Sequence, residues 1–323
     1  MNFLYLALSS ILVFNIISTN IYDLFRINNS KPFILDMDYS SDVDDVLALR
    51  VANNLHKQGI IELKAIGLST SDEEELNIKA LDGLLDYDNI KNIPIGYSHQ
   101  YIEDSSPYWE VLLEYSDNKY KSFDSVSLYR YIISRSKQPI TICTTGYLNN
   151  IADLVQSKPD LISPFTGKQL LERNKTIIYI TGGEPNGWSN NLSFYPEARE
   201  ATDYLIKNID NLIFIQSDTG GAFSSGENLQ LNYKEDPVSK SLWAFNGLPI
   251  GRWAWDPTAV WIAAYQDYEY CNVSIYKIDI VYDKDNGYNM FIFDEDARHY
   301  RICRSHDNIE FYKNIIDNLI VKQ

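Results

Sequence analysis

Five aspartates, Asp36, Asp38, Asp42, Asp44 and Asp45, fall within ten residues of the segment DMDYSSDVDDVLAL. Carboxylates this close repel one another and raise one another's pKa, and a bound divalent cation removes that penalty. A ligand set made only of oxygen suits Ca²⁺ or Mg²⁺ and disfavours zinc. Asp44 and Asp45 also stand at the head of a helical pattern, where the helix dipole favours negative charge. One or two aspartates here would read as a helix cap with an acidic loop. Five of them just after a strand read as a metal site.

The elements that must position them follow from apolar spacing. Phe33-Ile34-Leu35 is a short buried-strand run, and Leu47, Ala48, Val51, Ala52 and Leu55 recur at helical spacing behind it. Leu63 to Leu68, Ile93 to Ile95, Ile140 to Cys143, Thr176 to Ile180 and Leu212 to Ile215 read as further strands. Helical patterns run through Leu76 to Leu85, Val126 to Ile133 and Leu148 to Val155. Strands alternating with helices predict an α/β fold: a mostly parallel open sheet flanked by helices. Beyond residue 270 the pattern changes to short strands at Ile275 to Ile280, Met290 to Phe293 and Tyr300 to Cys303, then a last helix through Ile315 and Leu319. These predict a small antiparallel C-terminal appendage. In an open parallel sheet ligands bind beyond the carboxyl ends of the strands, so residues just after each strand are the candidates for a site.

A chain of 323 residues with 45% hydrophobic content can bury a sizeable core, and no repeat or low-complexity linker divides it. Residues 30–323 are therefore expected to form a single domain. The net charge of −16 excludes a nucleic-acid duplex as a natural partner. Residues 1–22 read as a signal peptide or N-terminal anchor: the apolar run from Phe3 to Ile17 is short for a membrane span, although no Lys or Arg precedes it and no small-residue cleavage site follows. Export to the periplasm or the extracellular space is the expectation, with membrane anchoring as the alternative. Of the three cysteines, Cys143 lies in an apolar run and is expected in the core, while Cys271 and Cys303 leave one bridge open.

The aspartate segment resembles the amino-terminal signature of the inosine-uridine-preferring nucleoside hydrolases, D-x-D-P-G-x-D-D, with a spacer two residues longer. CTTGYLNNIADL, YITGG, NNLSFYPEA, TGGAFSSG, DPVSKSLW and WDPTAV are similar to later segments of that family and occur in the same order, from about Phe33 to Tyr265. The resemblance implies a nucleoside hydrolase-like domain that breaks the N-glycosidic bond of a ribonucleoside or related N-ribosyl compound with calcium. It implies that Asp38 ligates calcium and acts as the base for the attacking water, with Asp45, the Thr145 carbonyl and Asp256 as further ligands. It gives Asp44 and Asn191 to the ribose hydroxyls and Asp36 to structural support, and it implies a homodimer or homotetramer. The chemistry is coherent: an oxocarbenium-like sugar needs a positioned water, a carboxylate to take its proton and fixed dipoles on the hydroxyls.

This chain departs from the family pattern in three places. Trp255 replaces the histidine before the last aspartate, and an indole does not donate a proton at neutral pH; stacking on a base or sugar and plain core packing are its two expected roles. The Pro-Gly of the first motif is replaced by Tyr39-Ser40-Ser41. Ser189 and Asn190 stand where an acidic and an aromatic residue are expected. His99 follows the third strand and is a candidate to line the site; His56, His299 and His306 read as surface or core fillers. Trp188 is a candidate lid residue or a loop anchor. The sequon Asn191-Leu192-Ser193 is discounted because the same asparagine is claimed for the sugar. Two other readings compete: a Mg²⁺-dependent phosphatase using Asp36-x-Asp38, which would need a lysine, and an exported calcium- or sugar-binding protein without catalysis.

Overall fold

The computed structural model describes residues 30–70, 74–100, 102, 106–304 and 308–323. The expected signal peptide or anchor, residues 1–22, and His306 lie outside the described residues. Among those described, no helix is long and apolar enough to cross a membrane.

Lys31–Met37 forms β1, and it is the hinge of the topology. Ile61–Leu68 (β2) pairs with it in parallel on one side, followed outward by Ile95–Tyr97 (β3) and Ser122–Asp124 (β4). Thr141–Thr144 (β5) pairs with it in parallel on the other side, followed by Ile177–Thr181 (β6) and Ile213–Ile215 (β8). The chain thus reverses its direction of travel between β1 and β5, which opens a crevice at their carboxyl ends.

The predicted antiparallel C-terminal strands are present, and they are hydrogen-bonded onto the main sheet. His299–Arg304 (β13) adds to β8 in parallel; Val273–Asp283 (β11), Tyr288–Phe293 (β12) and the short Asn186–Trp188 (β7) then follow antiparallel to the edge. Ser224–Ser225 (β9) and Arg252–Trp253 (β10) make a separate two-stranded antiparallel pair. The strand expected at Ile93 to Ile95 lies two residues further on. Pro94 has no N–H to give to a ladder, and its carbonyl instead accepts from Ile66 N.

Alternation along β1 assigns its two faces. Phe33, Leu35 and Met37 join one buried cluster, while Ile34 joins the other. Asp44–Lys57 (α1), Glu74–Tyr87 (α2), Pro237–Asn246 (α7), Trp255–Tyr265 (α8) and Ile309–Leu319 (α9) cover the first face. Ser125–Arg135 (α3), Asn149–Gln156 (α4), Gly167–Asn174 (α5) and Pro196–Asn208 (α6) cover the second. Each large side chain buried this way contributes about 2 kcal/mol. Cys143 and Cys271 are buried, and all three cysteines are free thiols.

Candidate metal centre

The aspartates are positioned by where each element stops. Asp36 is the last residue of β1 on the face toward α3 and α4, where it accepts hydrogen bonds from the Tyr129 hydroxyl and, at 2.9 Å, from Asn150 Nδ2. Burial pushes its carboxyl up to about 6 against these two hydrogen bonds. Gly67 leaves room for this arrangement, since a Cβ there would stand 1.6 Å from the Tyr129 hydroxyl oxygen. Asp38 lies just past the strand, and Ser41 closes the turn by donating its N–H to the Asp38 carbonyl and its hydroxyl to Asp38 Oδ2, both at 3.0 Å. Gly146 brings β5 close behind: a Cβ there would meet the Asp38 nitrogen at 2.2 Å.

The longer spacer takes a buried path. Ser40 sits at φ 103°, in the left-handed region that non-glycine residues rarely enter. Its N–H donates to the Tyr108 hydroxyl at 3.0 Å, and its carbonyl accepts from Ser106 N at 2.7 Å. These bonds hold the loop so that α1 starts at Asp44, with Asp44 and Asp45 in its first turn.

Asp256 arrives from the other end of the chain, in the first turn of α8, which packs against α1. Two helix N-termini therefore point at one cluster, and their dipoles favour charge of this sign. Ligand oxygens of Asp38, Asp45 and Asp256, all buried, lie within 4.8 Å of one another. Asp256 N–H donates to Asp44 Oδ2 at 3.3 Å. The Thr145 hydroxyl lies 3.4 Å from Asp45 Oδ1, whereas the buried Asp45 Oδ2 accepts no hydrogen bond. Burial pushes the carboxyls of Asp44, Asp45 and Asp256 well above the usual range, and neighbouring aspartates push each further up. Three converging carboxylates with an orphaned oxygen fit a hard divalent cation in both chemistry and arrangement. A second carboxylate triplet, Asp82, Asp86 and Asp117, is less buried, and Lys91 and Lys119 pair with two of its members.

The cluster floors a cleft of about 510 Å³, within the range of small-molecule sites. Asp38, Asp44, Thr145, Asn191, Trp255 and Asp256 all line it; Asp45 lies beneath, and Asp36 stands behind. Asn191 Nδ2 donates to the Thr145 carbonyl at 2.5 Å and to the Thr181 carbonyl at 3.3 Å. That carbonyl keeps a second lone pair for a cation. Trp255 packs its indole edge against Gly221, and Trp188 lies at the rim, half exposed and edge-on to Phe194 at 5.9 Å. Ser189 faces inward and accepts from Gly183 N at 3.0 Å. His99 does not line the cleft; it pairs with Asp124 at 3.0 Å and is largely exposed. His299 is buried against the Ile206 carbonyl, and His56 accepts from Leu63 N.

Arg252, Glu184 and Ser217 line the cleft and escaped the sequence reading. Arg252 binds Asp42 through both Nε and Nη2, and its guanidinium lies 5.2 Å from the Trp255 ring. Nothing local marks it, because its partner is 210 positions away. Glu184 follows the Gly pair after β6, in the post-strand position that was itself the signal. Burial raises its pKa, and a hydrogen bond with Ser217 opposes the rise.

No protein-family model and no curated protein sequence matches the chain. Solved structures do match across nearly its whole length. An inosine-uridine preferring nucleoside hydrolase from Bacillus anthracis is similar at 13% identity and TM-score 0.64, covering 91% of this chain and 100% of that one. A purine-preferring ribonucleoside hydrolase from Gardnerella vaginalis gives 15% and 0.64 over 90% and 98%. The type III effector protein XopQ, complexed with adenosine diphosphate ribose, gives 12% and 0.68 over 94% and 97%. The fold of this chain is nucleoside hydrolase-like.

Proposed function

Starting from a nucleoside hydrolase-like fold, we propose that this protein is a calcium-dependent hydrolase of the N-glycosidic bond of a ribonucleoside or related N-ribosyl compound. The observation that carries the proposal is the meeting of Asp38, Asp45 and Asp256 at the floor of a cleft, on a fold whose similar solved structures include nucleoside hydrolases.

Asp38, Asp45, Asp256 and the Thr145 carbonyl would hold the cation, which when bound supplies positive charge to orient water and sugar hydroxyls. Asp38 takes the proton of the attacking water, being both in the carboxylate group and open to the cleft. Asp44 accepts from a ribose hydroxyl while the Asp256 N–H keeps its other side fixed. Asn191, anchored on two backbone carbonyls, offers its side-chain oxygen to the sugar. The sugar's positive charge then develops beside carboxylates. The phosphatase reading is less well supported, because no lysine lines the cleft among the described residues. For the tests below, the purified protein with calcium is offered inosine, uridine and p-nitrophenyl riboside and assayed for reducing sugar. Release is expected with calcium and should stop with a chelator; no release from any substrate would overturn the proposal.

A second result follows from protonation. Burial places the folded-state pKa of Asp36, Asp44, Asp45 and Asp256 above unfolded values. For such groups stability is fully present below the unfolded pKa and is lost as pH rises through the raised folded values. The metal-free protein should therefore lose stability from about pH 4 upward, through about pH 6 where Asp36 titrates. Calcium needs the deprotonated ligands, so its stabilisation should grow over the same window, reaching about 2.7 kcal/mol when calcium is a hundredfold above its Kd. Thermal melts with calcium or chelator, run across that range, read this directly. A calcium effect equal at both ends of the range, or absent, would contradict the ligand assignment.

A further inference from the structure

The loop from Asp38 to Asp44 is gripped at two points by residues remote from it in sequence. Arg252 holds Asp42 in the second half. The first half turns at Ser40, which is fully buried at φ 103°. Glycine enters that conformation freely, whereas a serine must be kept there by its surroundings. Three consecutive backbone groups are satisfied from outside the loop. The Tyr39 carbonyl accepts from the Thr70 hydroxyl at 3.2 Å, the Ser40 N–H donates to the Tyr108 hydroxyl, and the Ser40 carbonyl accepts from Ser106 N. Pro107 aims Ser106 by confining it to extended backbone, at φ −132° and ψ 134°. Tyr108 lies in the first turn of the short helix Pro107–Tyr115, with its ring packed edge-on to Tyr39 at 6.3 Å and to Phe245 at 5.8 Å. The Arg252 guanidinium lies over the same Phe245 ring at 5.2 Å, so both grips rest on one side chain.

Resting on the proposed calcium site, we infer that Tyr108 is a positioning residue for it: by holding the Ser40 N–H, its hydroxyl sets how Asp38 and Asp45, on either side of the loop, face one cation. Tyr108 does not line the cleft and acts only through Ser40. Asp38 precedes the turn and Asp45 lies beyond it on α1, so a change at Ser40 alters the separation of two ligands at once. A hard cation binds tightly where its oxygens are already in place, and groups behind the ligands then carry part of the affinity. Tyr39 supplies the contrast, because its hydroxyl is equally buried and makes no hydrogen bond.

Calorimetric titration with calcium compares the wild-type protein, Tyr108→Phe and Tyr39→Phe, in which phenylalanine keeps each ring and removes one hydroxyl. Tyr108→Phe is expected to weaken calcium binding by at least about tenfold. Tyr39→Phe, which loses no hydrogen bond, should stay within about threefold of wild type. In the metal-free protein the Ser40 amide should exchange with deuterium at least about tenfold faster in Tyr108→Phe. Adding Ser40→Gly to Tyr108→Phe should bring the affinity to within about threefold of Ser40→Gly alone, since glycine adopts the turn without help. A role in packing alone would lower the melting temperature without that recovery. Equal calcium affinity in wild type and Tyr108→Phe, equal losses in the two tyrosine variants, unchanged Ser40 exchange, or a double variant as weak as Tyr108→Phe overturns this inference alone. A wild-type protein that binds no calcium overturns the proposed function as well.

Discussion

Asp38→Asn is expected to lower kcat for sugar release by roughly 10³-fold, the middle of the range for a lost general base. Asparagine keeps the size and one carbonyl oxygen, so the turn closed by Ser41 should survive. What disappears is the capacity to take a proton from water. Asp45→Ala separates that role from ligation. Asp45 lies deeper, with one oxygen near the Thr145 hydroxyl and the other bonded to nothing. Its removal should abolish calcium affinity, and with it both the calcium-induced rise in melting temperature and the activity. The pair of readouts is informative because it differs: Asp38→Asn should retain a measurable calcium shift while losing turnover. An Asp38→Asn variant with wild-type kcat would remove the base from this residue, and an unchanged calcium titration in Asp45→Ala would remove the ligand.

The second large effect concerns folding. Arg50 is fully buried on α1 and donates from Nε to Asp88 at 2.9 Å, from Nη1 and Nη2 to Asp236 at 3.0 and 3.2 Å, and from Nη1 to the Ile320 carbonyl at 3.2 Å. Asn53 adds a bond to Asp88 at 2.7 Å, and Asp236 also caps α7 through Val238 N. Burial already pushes the Asp88 carboxyl up, even with Arg50 beside it. Arg50→Ala would strand two carboxylates without their cation, and stability should fall by about 3–5 kcal/mol. The urea midpoint would drop with the slope unchanged. A loss below about 1 kcal/mol would mean that the carboxylates find protons or water at little cost. Of the proposed ligands only Asp45 lies on α1, in its first turn, so the calcium affinity of the remaining folded protein should be preserved.

Most of the candidate metal site was legible because it is written locally. Asp36, Asp38, Asp44 and Asp45 sit where a strand ends and a helix begins, and both ends carry apolar patterns. Asp256 was reached only through resemblance, since nothing in its own neighbourhood tells which of many aspartates folds back onto the first. Arg252 and Arg50 escaped for the same reason: partners 210 positions away for the first, and 38 and 186 away for the second, leave no trace in local spacing. The parallel half of the sheet was readable from buried apolar runs. The joining of the C-terminal hairpin to β8, and of the three-residue β7 to β12, was not, because edge pairing depends on backbone groups that every sequence possesses. The Tyr39-Ser40-Ser41 path was unreadable because it rests on Tyr108, a residue in a distant connection.

The distribution of site residues along the chain has a consequence during biosynthesis. The carboxylates of α1 leave the ribosome early, Asp256 only after most of the polypeptide, and the β12 residues that hold Trp188 at the rim later still. A nascent chain carrying only the first half presents its acidic loop without the third carboxylate. With the proposed ligand set, calcium capture would belong to the last stage of maturation, and a polypeptide cut short before α8 should emerge unable to retain the ion however well its first strands have paired.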